Sequence, residues 1–295
     1  VRVVSLLPSA TELVFALGRG DDLVGVTVEC DHPPEARTRR VVSTTTLPED
    51  LTPAEIDAEV SSRVAAGEDL YRLDAGALAD VAPEVILTQD LCAVCAVDVD
   101  RIDDALHHLG CSARVVTLDP HRLEEVWASF HDAGDALGAR PEADVLVHGI
   151  RARLGRVATA VEGAPRRRTV VLEWTDPAFT AGHWVPDLVA AAGGEAVLAD
   201  PGADSRRVPW DDVRAADAEV VVVSPCGYGL DAAAELTRPL LDGRLPVGAE
   251  VWAIDADGLV VRPGPRLVDG VEAIASVLHP DRVGPLDPLR VRRLA

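Results

Sequence analysis

The 295-residue chain contains no lysine, no asparagine and no methionine, so all 28 of its basic side chains are arginines, against 49 acidic ones. The formal charge of −21 repels phosphate backbones and anionic bilayers, which argues against nucleic acid as a partner. An excess of Ala, Val, Gly, Asp and Arg fits codon bias in a GC-rich genome better than salt adaptation. No run of about 18 uninterrupted apolar residues occurs, so no membrane insertion is expected. No basic, apolar and small-residue leader precedes the first strand. Cysteines are few and odd in number, at 5, which makes a poor disulfide framework and a better set of reduced thiols or metal ligands. The absent leader and the reduced-looking thiols favour a cytoplasmic location. Walker A loops, Gly-x-Ser-x-Gly elbows, His-Glu-x-x-His helices and Gly-x-Gly-x-x-Gly fingerprints are all missing, which lowers the odds of a common hydrolase, kinase or dehydrogenase.

What is present is apolar periodicity sufficient for two cores, with 48% hydrophobic residues. Arg2–Leu7 reads as a strand, and Ser9-Ala10-Thr11-Glu12 as a capping box opening a helix that Gly18 and Gly20 stop. Leu23–Val28 is the next strand; 77–82 is helical, Pro83 breaks it, and Glu84–Thr88 is a strand. A further helix is expected between Ile56 and Leu73. The second half repeats the plan: Arg168–Leu172 echoes Arg2–Leu6, a helix at 185–192 closes at Gly193-Gly194, and Asp212–Val223 echoes Leu78–Thr88. Alternating strands and helices predict an α/β fold of two lobes with mostly parallel sheets. Two helices, 122–137 and 142–162, lie between the repeats, the second long enough to act as a stiff connector. The expected division is 1–140, a backbone helix at 141–164, and 165–295.

In open α/β sheets, ligands bind beyond the carboxyl ends of the strands, so the post-strand loops are the candidate site. The first lobe offers Ser9, Glu29, Cys30, His32, Gln89, Cys92 and Cys95 there. The second offers Glu173, Trp174, His183, Trp184, Cys226, Tyr228 and, in a Pro-Gly-Pro loop, Arg262. Trp174 and Trp184 combine apolar area with a polar handle, and each reads equally well as packing. Cys92-x-x-Cys95 lines a pocket, forms a redox pair, or joins Cys226 with Cys30 or His183 in a zinc-like centre. Arg262 either faces ligand or stitches its lobe together. His121 reads as solvated.

The combination of Val3-Val4-Ser5-Leu6-Leu7-Pro8-Ser9-Ala10-Thr11-Glu12-Leu13, Val24-Gly25-Val26, Asp31-His32-Pro33-Pro34, Asp176-Pro177-Ala178-Phe179-Thr180-Ala181-Gly182, Gly193-Gly194 and Arg207-Val208-Pro209-Trp210 resembles the cobalamin-binding solute receptors of ABC importers. These belong to a helical-backbone class that also holds siderophore, heme and metal-ion receptors. The resemblance covers nearly the whole chain. It implies two Rossmann-like lobes on one long backbone helix, little hinge motion, and a corrinoid or tetrapyrrole held edge-on in the cleft as bound ligand. It further implies a monomer that is not an enzyme, working with an ABC permease outside the cytoplasm. Glu29 and His32 stand where that class places aromatic cleft residues, and Gln89 stands in a loop that supplies another. The alternatives are a zinc-like metal-ion binder through the Cys and His residues and a thiol redox enzyme using Cys92 and Cys95.

Overall fold

The computed structural model describes residues 1–89 and 112–295. Cys92, Cys95 and Cys111 lie outside the described residues, as do the expectations attached to them. The chain divides into two compact units, one of Val1–Pro120 with Trp127–His148, the other of His121–Val126 with Gly149–Ala295.

The first unit carries strands β1 (Val3–Ser5), β2 (Leu23–Thr27), β3 (Arg40–Thr45), β4 (Tyr71–Leu73), β5 (Val85–Thr88) and β6 (Arg114–Thr117). They form one sheet in the order β4-β3-β2-β1-β5-β6, in which every neighbouring pair is parallel except β3 with β4. Every residue of β1 and β5 is buried, as continuous β-branched and aliphatic runs require in a sheet covered on both faces. Val4, Leu6, Val42, Leu78 and Ile86 make one core cluster in which α3 (Ala75–Val81) packs on the sheet; the unit's other helices here are α1 (Pro8–Ala16) and α2 (Pro53–Ala66). In α4 (Leu123–Leu137), Trp127 and Phe130 are fully buried and meet edge to face at 5.5 Å.

Helix α5 (Arg140–Val161) is a single run of 22 residues, belonging to the first unit through His148 and to the second from Gly149. The second unit carries β7 (Arg167–Thr175), β8 (Ala178–Thr180), β9 (Gly194–Ala196), β10 (Arg206–Arg207), β11 (Val220–Val223), β12 (Glu250–Ile254) and β13 (Val291–Arg293). Its order is β10-β8-β7-β11-β12-β13, with β9 also on β7; β7, β11, β12 and β9 run parallel, while β8, β10 and β13 pair antiparallel. Packed on it are α6 (Val185–Ala191), α7 (Trp210–Ala215), α8 (Leu230–Thr237), α9 (Ala256–Leu259) and α10 (Leu267–Leu278). On α5, Arg153 is held by Asp269 at 2.6 Å and Glu272 at 2.5 Å on α10. That carboxylate pair raises the affinity of its guanidinium for the proton.

The repeat extends beyond the strand order. The echoed segments Arg2–Leu6 and Arg168–Leu172 contain or overlap β1 and β7, the strands at which the two sheets reverse their order. Ala82 (φ 44°) and Asp217 (φ 51°) each turn the chain through the left-handed region three residues before β5 and β11. Two local expectations are corrected. Ser9 and Glu12 do not cap α1: Pro8 opens the helix one residue after Leu7, which places both side chains inside it and buried, with no side-chain cap. The helix expected to reach Leu73 stops at Ala66, because Gly67 takes φ +69° and Tyr71–Leu73 leaves as an edge strand on β3; the capping box that does form joins Thr52 and Glu55.

Ile86 is fully buried in β5, so Ile86→Ala should lower the unfolding free energy by about 2–5 kcal/mol, whereas Val145→Ala, at 74% exposed on α5, should shift it by less than about 0.5 kcal/mol. Urea titration followed by far-UV circular dichroism measures both.

Candidate functional site

Carboxyl ends of parallel strands leave backbone groups unpaired just where the sheet order reverses, and both units place their chemistry there. In the second unit, the register of β7 on β11 continues past the strands: Ser224 N–H donates to Leu172 O at 2.8 Å and Cys226 N–H to Glu173 O at 3.0 Å. This holds the Cys226-Gly227-Tyr228 turn beside the end of β7, where the Tyr228 and Trp174 rings meet at 5.9 Å, tilted by 49°. Gly227 turns at φ +87°, and its amide donates to Asp257 Oδ1 at 3.0 Å. The other oxygen of Asp257 takes Arg262 at 3.3 Å, so one carboxylate from α9 ties two loops together. Burial, with a smaller contribution from Cys226, pushes the Tyr228 phenol above its usual range. The edge therefore offers an indole, a neutral phenol that donates a hydrogen bond, and an exposed thiol.

At the corresponding edge of the first unit, Tyr71 Oη donates to the Glu29 carboxylate at 3.0 and 3.2 Å. Ser9, 4% exposed, and Gln89, 5% exposed, lie at the ends of β1 and β5, and His32 is exposed. Cys30 is buried at 3% exposure, with its sulfur 3.0 Å from Thr11 Oγ1.

The profile of the periplasmic binding protein family matches residues 3–239. The chain belongs to that family. It is similar to an uncharacterized ABC transporter substrate-binding lipoprotein of Bacillus subtilis, 26% identical over 95% of this chain and 80% of that protein. The vitamin B12-binding protein of Vibrio cholerae is also 26% identical, over 94% of this chain and 88% of its own length. Among solved structures, a periplasmic heme-binding protein from Pseudomonas aeruginosa superposes with a TM-score of 0.72 at 22% identity, covering 100% of this chain and 98% of that one. The likeness establishes the two-sheet fold expected from the repeat. Periplasmic binding proteins are a binding family rather than an enzyme family, and their compartment does not support the cytoplasmic expectation.

In this periplasmic binding protein the expected site residues separate. Glu173, Trp174, Cys226 and Tyr228 come together, and Arg262 is stitched to the same loops through Asp257. Trp184 does not join them: it is 6% exposed, it caps the backbone of α6, and its indole N–H donates to Val260 O at 2.8 Å, so it is packing. Among the described residues, the metal-ligating neighbours of His183 are His121 and Asp204. Sequence reasoning missed Asp257, Tyr71 and Asp204; His121 is exposed, as read from the sequence, and lies with Asp204 beside His183. None of the three carries a local motif: Tyr71 pairs with Glu29 42 residues away, Asp257 with Gly227 30 residues away, and Asp204 with His183 21 residues away.

Two outcomes follow for this edge. Trp184→Ala should cost about 3–5 kcal/mol in stability by chemical denaturation. Because folding raises the Tyr228 pKa, stability should fall as pH climbs past the unfolded phenol value of about 10. Alkaline absorbance titration should show a late tyrosinate component that Tyr228→Phe removes.

Proposed function

We propose that this chain is the substrate-binding component of an ABC importer and that its ligand is a planar, metal-centred macrocycle, a corrinoid or a heme. The observation that carries the reading is the Trp174–Tyr228 pair at the carboxyl end of β7. Large aromatic faces suit a flat, largely apolar ring, and each such side chain buries about 150–250 Å² when covered. The phenol, kept protonated by its burial, donates to peripheral carbonyl or carboxylate groups of such a ligand. A vitamin B12-binding protein among the relatives and a heme-binding protein among the structural neighbours support the same ligand class. Transport requires a membrane permease as partner, and among the described residues no helix is long and apolar enough to cross a membrane. Glu173 and Cys226 contribute polar contacts around the aromatic pair, while Arg262 acts by holding the loop.

Titration of the purified chain with cyanocobalamin and with hemin, followed by tryptophan fluorescence and by absorbance, should saturate at one ligand per chain for one of them. Trp174→Ala should weaken that binding at least tenfold, as expected for an aromatic anchor, with a small change in thermal midpoint. Failure of both ligands to bind at high micromolar concentration overturns the reading.

A further inference from the structure

Three segments of the second unit, distant in sequence, place His121, His183 and Asp204 so that one ligand atom from each lies within 4.8 Å of the others. We propose that these three side chains form a binding site for a divalent first-row transition ion of the zinc type, separate from the aromatic edge at β7.

The geometry begins with Gly182. A Cβ there would collide with Ala203 O and Ser205 N, so only glycine lets the 203–205 strand of chain cross it. His183 follows in the left-handed region at φ +49°, held by its own N–H to Ala203 O at 2.6 Å and by Gly202 N–H to its carbonyl at 2.9 Å. Such a backbone is costly for a non-glycine residue and persists because the surroundings impose it. The consequence is a fixed imidazole. Its Nε2 is buried and makes no hydrogen bond among the described residues, yet it sits 3.3 Å from Asp204 Oδ1. Ligand atoms about 2.0–2.2 Å from a tetrahedral ion stand roughly 3.4 Å apart, the spacing this pair already has.

The third ligand is positioned by a clamp. Arg122, next to His121, makes a two-pronged pair with Asp187 on α6, at 2.8 Å for both contacts, and the Leu123 amide adds 3.1 Å to the same carboxylate. Glu125 accepts from the His121 amide at 2.7 Å. The His121 ring thereby lies 5.6 Å from that of His183, tilted by 43°. Two imidazoles and a carboxylate match the preference of zinc, cobalt and nickel rather than of calcium or magnesium, and three protein ligands leave a fourth position for water or a ligand atom.

The site is independent of the macrocycle reading, and the tests keep them apart. Co²⁺ and Zn²⁺ are titrated into the metal-free full chain, with cobalt followed by its visible absorption and zinc by calorimetry. One ion per chain is expected, with affinity falling at least tenfold in His121→Gln and in Asp204→Asn. His183→Asn should do the same, asparagine being a residue that tolerates the left-handed backbone. Asp204 is exposed, so its variant keeps the test alive if a histidine variant unfolds. Absence of any binding up to millimolar metal overturns the proposal, as does one ion per chain with unchanged affinity in all three variants. Cyanocobalamin and hemin titrations of the same proteins report on the macrocycle reading alone.

Discussion

Parallel pairing of fully buried strands about a single central strand is the constraint on which the candidate site depends. In the second unit, β11 contributes Val220 through Val223, all buried, and pairs with β7 on one side and β12 on the other. A shift of one residue in that register would turn each valine to the opposite face and drag the Cys226-Gly227-Tyr228 turn with it. Because both faces of the strand are covered, neither alternative packs as well, and the ladder carries on into the loop through Ser224 and Cys226. Trp174 and Tyr228 are neighbours because the backbone pairing of β7 with β11 continues through Ser224 and Cys226.

Beyond the ladder, the loops are held by few but well-buried charges. Asp257 accepts from the Gly227 amide with one oxygen and from Arg262 with the other, and both charged side chains are less than one-fifth exposed. A carboxylate in that position holds two loops together through charge-assisted contacts. The Arg122–Asp187 pair does similar work at a second place, joining the segment before α4 to the first turn of α6. Its exposure is greater, so its value lies in geometry: two parallel contacts define an orientation that a single contact would leave free.

The two edges of the chain also differ in chemistry although the repeat gives them like scaffolds. The first unit ends its strands with Ser9, Gln89 and a Glu29 carboxylate that accepts from Tyr71, all small or polar. The second ends them with a tryptophan, a phenol and a thiol. A common fold fixes where loops emerge, while the side chains on those loops decide what they recognise.

Much of the architecture was legible from periodicity alone. The echo of Arg2–Leu6 in Arg168–Leu172, the long helix free of internal proline after Pro141, and the helix-strand unit repeated at 78–88 and 212–223 are local patterns. Local patterns survive in sequence because each strand or helix must bury its own stripe. Composition likewise argued against a membrane helix and a nucleic-acid partner. Only the tertiary structure decided which loop residues serve as site and which as core. Trp174 and Trp184 look alike in sequence, each following a polar or charged residue near a strand or helix end, yet one faces Tyr228 and the other gives its indole proton to Val260. His183 read as a partner for cysteines, and among the described residues the crossing of 203–205 over Gly182 sets it beside Asp204 and His121. The physical reason is that such pairs depend on contacts 21 to 83 residues apart in the chain, set by how strands order themselves in a sheet and not by any spacing written along the sequence.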